Sequence, residues 1–266
     1  MKPYSPPRLR VTGLPLDTGD ADWAAAKVRE VLASAAPSWL HVVTMNAEMA
    51  IQASGHQALA RIIGEAGLVL PDGSGVVWAA ARRGVPVRKL AGVAFVDTIA
   101  ASCAATGKGL YLLGAAPGVA AAAAEVLRTR HPGLTIAGTR DGYFTDAEEP
   151  AVIEGIRASG AAALLVALGV PRQELWIDRH RRGLGVRVAM GIGGSLDVIS
   201  GRLQRAPGWM IRLHLEWLYR LVQEPWRWQR MATLLPRFIR AAVAAEKQER
   251  YTLEADPGER QGPPTA

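Results

Sequence analysis

The chain has 266 residues and a formal net charge of +7; 49% of its residues are hydrophobic and 21% are charged. These values fit a globular protein with a sizeable core. The single cysteine, Cys103, excludes an intramolecular disulfide framework and is expected to be a buried thiol. No apolar run is long enough to cross a bilayer and no secretory signal is visible, so we expect a soluble or peripheral protein in a reducing compartment.

Short apolar runs alternate with longer amphipathic stretches over most of the chain. The runs at 40–44, 68–70, 110–113, 134–137, 164–168 and 186–192 predict strands. The stretches at 48–66, 76–83, 93–105, 119–131, 147–159 and 173–181 predict helices. Because the strands are apolar throughout, the pattern predicts an α/β fold with a Rossmann-like parallel sheet covered by helices on both faces.

The alternation ends after Gly201. Two helical stretches follow, at 209–223 and 226–245, and Glu224-Pro225 separates them. We therefore predict an α/β core over 1–201, a basic, Trp-rich helical appendage over 202–245, and a disordered tail over 246–266.

The appendage carries most of the excess charge. Between Arg202 and Arg240 there are eight arginines and two acidic residues, together with four of the eight tryptophans. Such a segment could bind nucleic acid, lie on a membrane surface, or clamp a diphosphate at an active site. A solvated helical hairpin whose tryptophans pack on the core is the plainest alternative.

Polar and glycine-rich segments follow the predicted strands, where an open parallel sheet binds its ligands. These segments are Thr44-Met-Asn46, Pro71-Asp72-Gly73-Ser74-Gly75, Gly114-Ala-Ala-Pro-Gly118, Gly169-Val-Pro-Arg-Gln173 and Gly191-Ile-Gly-Gly-Ser195. Asp72 could be the N-cap of the next helix or a general base. The backbone at Gly114 could hold a phosphate or serve only the turn, and the amide of Gln173 could bond a sugar hydroxyl.

Several familiar motifs are missing. No G-x-G-x-x-G follows any predicted strand and there is no Walker sequence, which counts against a dinucleotide oxidoreductase. Asp20-Ala-Asp22 has a spacing used for metals in some nucleotide-sugar enzymes, but it fits a helix N-cap better. The five histidines are scattered, so no metal site is predicted.

In their order along the chain, these segments resemble the WecG/TagA/CpsF family of bacterial glycosyltransferases, from about Leu40 to Arg230. The resemblance rests on Thr44-x-Asn46, Asp72-Gly-x-Gly, Leu112-Leu-Gly114 with Pro117-Gly118, Asp141-Gly-Tyr-Phe144, Gly169-x-Pro-x-Gln-Glu174, Gly193-Gly-Ser-x-Asp197, Arg205-Ala-Pro207, and 215–220 (LEWLYR) with Glu224-Pro225. It implies an inverting transfer of N-acetylmannosamine, or its uronic acid, from a UDP-sugar to a polyprenyl-diphosphate-linked acceptor. The reaction is expected at the cytoplasmic face of the membrane, without a metal or another cofactor.

The same resemblance assigns roles to residues. It implies Asp72 as the general base, with Thr44, Asn46 and Gln173 positioning the sugar and the acceptor. It also implies that the appendage closes over the donor diphosphate and docks on the membrane. The remaining implied substrate-binding residues are Arg88, Lys89, Gly114, Tyr143, Gly169, Asp197, Arg220, Arg227 and Arg230.

One segment departs from the family pattern Arg-Val-x-Gly-x-Asp-Leu. Here it reads Arg88-Lys-Leu-Ala-Gly92-Val-Ala94-Phe95, so Ala94 replaces the acid. Transfer of glucose in exopolysaccharide assembly therefore stays an alternative. A non-catalytic module that binds nucleic acid or membrane is the competing class, although we expect no nucleic-acid partner. Association into a homo-oligomer stays open.

Overall fold

The computed structural model describes residues 6–204, 206–212, 216–223 and 227–248. It begins with an antiparallel hairpin of β1 (Arg8–Val11) and β2 (Leu14–Asp17), which the sequence patterns above do not predict. Thr12 and Gly13 join these strands with φ values of 52° and 81°. Two successive positive φ values are typical of the tight turns that match the twist of a hairpin.

The central sheet has six parallel strands. They are β3 (Leu40–Met45), β4 (Leu68–Pro71), β5 (Gly109–Gly114), β6 (Thr135–Arg140), β7 (Ala163–Ala167) and β8 (Val188–Gly191). Their order across the sheet is β4-β3-β8-β7-β5-β6. The predicted parallel α/β sheet is confirmed. All six carboxyl ends lie along one edge, which we call the rim.

Helices cover both faces of the sheet, because alternate strand residues face opposite sides. Leu40 and Val42 belong to the apolar cluster under one helical layer, whereas Val43 and Met45 belong to the cluster under the other. The first layer contains α1 (Ala21–Ala33), α5 (Gly92–Thr106), α6 (Val119–Arg130) and α9 (Ser195–Ile199). The second contains α2 (Ala47–Ser54), α3 (Gln57–Glu65), α4 (Ser74–Arg82), α7 (Glu149–Ala158) and α8 (Arg172–His180).

The prediction of one helix over 48–66 is wrong, because the chain turns between α2 and α3. Gly55 ends α2, and His56 then takes an extended conformation with φ −136°. The Nδ1 atom of His56 accepts a hydrogen bond from the Leu59 N–H at 3.3 Å, so its ring caps α3. A histidine cap is not among the usual N-cap residues, which is why the pattern did not show it.

The appendage contains α10 (Gly208–Arg212), α11 (Glu216–Gln223) and α12 (Arg227–Gln248). Phe238 is fully buried and Ala242 is nearly so, and both join the cluster formed by α2 and α4. The second half of α12 is therefore anchored on the core. It continues to Gln248, beyond the predicted start of the tail; residues 249–266, Arg205 and Glu224-Pro225 lie outside the described residues. No helix in the described ranges is long and apolar enough to span a membrane.

Candidate active site

Asp72 lies at the rim, directly after β4. Its N–H donates to the Met45 carbonyl at 2.9 Å, which ties it to the end of β3. The N-cap of α4 is Gly73, with φ 92° and no side-chain cap, so Asp72 does not cap α4. Instead its Oδ2 atom accepts a hydrogen bond from the Gly92 N–H at 3.4 Å. Gly92 begins the 15-residue helix α5, whose amino terminus favours a negative charge.

Thr44 and Gly92 complete the surroundings of this carboxylate. A methyl group on Gly92 would stand 3.3 Å from Thr44 Oγ1 and 3.6 Å from Asp72 Oδ2. The backbone of Gly92 therefore fits closely between the two side chains. Thr44 is 8% exposed, and among the described residues its hydroxyl has no hydrogen-bond partner. The site thus pairs one carboxylate with one unpartnered hydroxyl.

Asn46 has a local structural role at the same edge. Its Oδ1 atom accepts a hydrogen bond from the Met49 N–H at 2.9 Å, so it is the N-cap of α2. Its Cβ lies 3.8 Å from the position of a methyl group on Gly73. Within the described ranges, the Nδ2 group has no partner. Asn46 can therefore cap α2 and still offer an amide donor beside Asp72.

Gln173 belongs to a buried hydrogen-bonded network. Its Oε1 atom accepts from the Gly193 N–H at 3.0 Å, and its Nε2 atom donates to Glu174 at 3.0 Å. Glu174 is fully buried, and its other oxygen lies 2.8 Å from His41 Nε2. Because Gln173 is only 2% exposed, direct contact with a sugar would need its surroundings to move. We interpret it as a residue that holds the loop after β8.

This network requires a glycine beneath it. A methyl group on Gly191 would lie 2.2 Å from Glu174 Oε1 and 2.4 Å from Gln173 Nε2, so any larger residue there would displace these two buried side chains. Residues His41 and Gly92 were missed by the sequence reasoning. A histidine inside an apolar strand and a glycine at a helix start were the only signals, and neither indicates a partner by itself.

Gly114 and Tyr143 lie on the other half of the rim. β4 and β5 are four strand spacings apart, or about 19 Å. Gly142 donates its N–H to the Ala115 carbonyl at 2.9 Å, which places the 141–144 loop beside the Gly114 turn. Tyr143 is 73% exposed. The fold therefore places Tyr143 close to the Gly114 turn, but both lie far from Asp72.

Local hydrogen bonds fix the shape of this loop. Asp141 Oδ1 accepts from the Tyr143 N–H at 2.9 Å. The carboxylate of Glu148 accepts from the backbone N–H and the hydroxyl of Thr145. These bonds favour the ionised form and lower the pKa of Glu148. Tyr143 is thus held on an ordered turn with its ring exposed.

Arg88 and Lys89 precede α5 along the outer edge of β4. Leu90 donates its N–H to the Pro71 carbonyl at 2.8 Å, so this segment follows the strand that leads to Asp72. Arg88 is exposed and Lys89 is half-buried. Ala94 lies exposed in the first turn of α5. The residue that departs from the family pattern therefore sits at the border of the candidate site.

The other predicted residues have varied positions. Gly169 adopts φ 77° and its carbonyl accepts from the Gln173 N–H, so it forms the turn into α8. Asp197 lies in α9, 3.9 Å from Arg202 Nε. Arg220 lies in α11, and Arg227 and Arg230 lie at the start of α12. Their contacts with a diphosphate stay a prediction.

The Asp20-Ala-Asp22 segment is a helix cap, as predicted. Asp20 Oδ1 accepts from the Trp23 N–H at 2.9 Å at the start of α1. In the part of the chain that the structure describes, no group of three or more His, Cys, Asp or Glu side chains could hold a metal ion. That the reaction proceeds without a metal stays a prediction.

An open parallel sheet with a carboxylate and glycine-rich turns at its rim defines the class of α/β enzymes that bind a ligand beyond the strand ends. A family model described as "Glycosyl transferase WecG/TagA/CpsF family" matches residues 9–252. The protein belongs to this family and is a glycosyltransferase.

Three similar proteins share one name, N-acetylglucosaminyldiphosphoundecaprenol N-acetyl-beta-D-mannosaminyltransferase. The Bacillus spizizenii protein is 37% identical over 207 residues, which cover 77% of this chain and 79% of the relative. The Bacillus subtilis protein is 33% identical over 210 residues, 79% of this chain and 81% of the relative. A Staphylococcus aureus protein is 30% identical over 244 residues, 91% of this chain and 94% of the relative.

Proposed function

We propose that the protein transfers N-acetylmannosamine from a UDP-sugar to a polyprenyl-diphosphate-linked N-acetylglucosamine, with inversion and without a metal. The relatives named for this acceptor and this sugar support the substrates. The observation that carries the proposal is the position of Asp72, at the rim and across Gly92 from the hydroxyl of Thr44.

Asp72 acts as the general base in this reaction. An inverting transfer forms a bond between the acceptor hydroxyl and the anomeric carbon while the bond from that carbon to the UDP oxygen breaks. The carboxylate takes the proton from the acceptor hydroxyl, and the electron pair of the breaking bond leaves with UDP. Thr44, on the other side of Gly92 from the Asp72 carboxylate, and Asn46, whose Cβ lies next to Gly73, hold sugar hydroxyls at this part of the rim.

Negative charge develops on the leaving UDP, and groups of the protein stabilise it. Backbone N–H groups at helix amino termini and the arginines of the appendage can supply it. The exposed Tyr143 and the Gly114 turn, about 19 Å along the rim from Asp72, offer room for the nucleotide part of the donor.

The appendage is the proposed docking surface for the cytoplasmic face of the membrane. Several large apolar side chains are exposed on its helices, among the arginines of the same segment. Such a combination suits the interface of an anionic membrane. The exposed side chains are Trp209, Leu218, Val222, Trp228, Leu235 and Ile239.

A donor screen tests this function. The enzyme is incubated with a synthetic prenyl-diphosphate N-acetylglucosamine and, one at a time, UDP-N-acetylmannosamine, its uronic acid form and UDP-glucose. Mass spectrometry of the lipid product is expected to show the addition of one N-acetylhexosamine. Addition of glucose instead would support the alternative donor that the exposed Ala94 suggests. Thermal stabilisation by DNA but not by UDP would contradict both transfer reactions.

A further inference from the structure

A cleft of about 780 Å³ lies between α12, the turn from α2 to α3, and Pro171. Leu234, Arg237 and Arg240 form its α12 wall, and Ile51 and His56 lie on the opposite wall. Asp72 and Thr44 do not line it. The cleft is therefore separate from the carboxylate site, although Pro171 connects it to the rim.

The two arginines of this cleft have no acidic partner among the described residues. Arg237 and Arg240 are exposed and three residues apart, so they project from the same side of α12. Neither forms an ion pair within the described part of the chain, and no carboxylate is among the described residues that line the cleft. Glu48, one turn before the cleft on α2, accepts a hydrogen bond from Gln52 Nε2 at 3.1 Å. The cleft is thus suited to an anion.

His56 adds a third hydrogen-bond donor to the lining of the cleft. Because its Nδ1 atom accepts the Leu59 N–H, the neutral ring carries its proton on Nε2. Two guanidinium groups and an imidazole N–H match the oxygens of a phosphate or diphosphate. Ile51 and Leu234 place an apolar surface beside these donors. A ligand with a phosphate head and an apolar chain would satisfy both.

We propose that this cleft binds the diphosphate of the lipid-linked acceptor, with the first prenyl units against Ile51 and Leu234; this inference rests on the proposed function. The α2 helix connects the two sites. Asn46 caps its start beside Asp72, and Ser54 at its end lines the cleft. At 1.5 Å per residue these positions are about 12 Å apart, a separation that a sugar and a diphosphate in series can span.

The test compares the variant R237A/R240A with a control of equal charge, R29A/R182A. Arg29 and Arg182 are exposed and lie at or near the far ends of α1 and α8, away from the rim. We expect R237A/R240A to raise the KM for the lipid-linked acceptor by about tenfold or more, as loss of charge-assisted hydrogen bonds predicts. The KM of R237A/R240A for the UDP-sugar should stay unchanged. The control R29A/R182A should keep the wild-type KM for the lipid-linked acceptor. An unchanged acceptor KM would overturn the proposal.

Direct binding separates this inference from the proposed function, because it needs no turnover. Farnesyl diphosphate is titrated into the full-length wild type and R237A/R240A by calorimetry. Weaker binding by the variant supports the cleft even if the transfer assay fails. Equal binding by both proteins overturns it.

Two further measurements show whether the phosphate bound in the cleft belongs to the lipid-linked acceptor, to a free diphosphate or to a phospholipid headgroup. Inorganic diphosphate should compete with farnesyl diphosphate only weakly, since it lacks the apolar chain. Anionic phospholipid vesicles without acceptor should bind R237A/R240A somewhat more weakly than the wild type, since two appendage arginines are lost, but this variant should bind farnesyl diphosphate more weakly as well. A loss of vesicle binding in R237A/R240A, together with unchanged binding of farnesyl diphosphate, would assign the cleft to lipid headgroups and overturn the proposal.

Discussion

The Asp72 carboxylate accepts a hydrogen bond from the Gly92 backbone N–H, across 3.4 Å, and so connects the end of β4 to the start of α5. The two residues are twenty positions apart in the chain. The bond orients the carboxylate, and the absence of a side chain on Gly92 leaves space beside Thr44. This contact places the proposed base at a fixed position on the rim.

Gly92→Ala should reduce activity without unfolding the protein. The added methyl would stand 3.3 Å from Thr44 Oγ1, in the space proposed for the sugar. Its backbone needs no positive φ, so the fold should tolerate alanine. We expect a loss of kcat/KM on the order of 10²-fold, typical of a misplaced substrate.

Gly64→Ala is the matched control for that variant. Gly64 lies in α3, and a methyl group there would meet nothing within 4 Å. Alanine should stabilise the helix by up to about 1 kcal/mol and leave activity unchanged. Equal activities of the two variants in the transfer assay would contradict the placement of Gly92 in the site.

His41→Ala should destabilise the fold strongly. The substitution leaves the fully buried carboxylate of Glu174 without its 2.8 Å partner. Breaking a buried pair in this way costs about 3–5 kcal/mol, measured by urea unfolding. The double variant H41A/E174M removes the stranded carboxylate and should be more stable than H41A. If H41A/E174M is less stable than H41A, the unpaired Glu174 carboxylate is not the cause of the destabilisation.

Phe238→Ala should release the second half of α12 from the core. The ring is fully buried against α2 and α4, next to Gly75. Loss of a buried aromatic ring costs about 3–5 kcal/mol, so limited proteolysis should cut α12 faster and transfer should fall. Ile239→Ala, at an exposed position on the same helix, is the control and should leave the proteolysis rate in solution unchanged.

Stability should depend on pH through Cys103. Burial raises the pKa of this thiol from 9.0 to about 12. Since the folded state holds the proton more tightly, the stabilisation is complete below pH 9 and is lost as the pH rises towards 12. The slope reaches about 1.4 kcal/mol per pH unit. Cys103→Ala should have a flatter pH dependence of its unfolding free energy over this window, and an identical slope would contradict the burial of the thiol.

The sequence predicted the parallel sheet well because its strands are apolar on both faces and end in polar or glycine-rich turns. The β1–β2 hairpin escaped because charged residues and a proline interrupt its two short strands, whereas the equally short β4 and β8 are continuous apolar runs. Contacts between distant segments escaped as well: nothing near Asp72 in the sequence indicates Gly92, and nothing near His41 indicates Glu174. Such pairings depend on strand order, and the order β4-β3-β8-β7-β5-β6 follows from packing rather than from any local pattern.

Asn46 shows a second reason why the sequence alone does not assign the role of a residue. A polar residue after a strand is compatible with a helix cap and with a ligand contact, and here its two amide atoms separate these roles. Oδ1 caps α2, whereas Nδ2 has no partner in the described ranges. For Asp72 the cap interpretation is wrong, because Gly73 occupies the cap position of α4. Only side-chain geometry distinguishes the two cases.

The turnover of Asp72→Asn tests the central claim most directly. Asparagine keeps the shape of the side chain but cannot take the acceptor proton, so transfer to the prenyl-diphosphate sugar should fall by about 10²–10⁴-fold. UDP binding by calorimetry should be unchanged, and Asp146→Asn, at an exposed loop position, should retain full activity. Wild-type turnover in Asp72→Asn would contradict the assignment of Asp72 as the base.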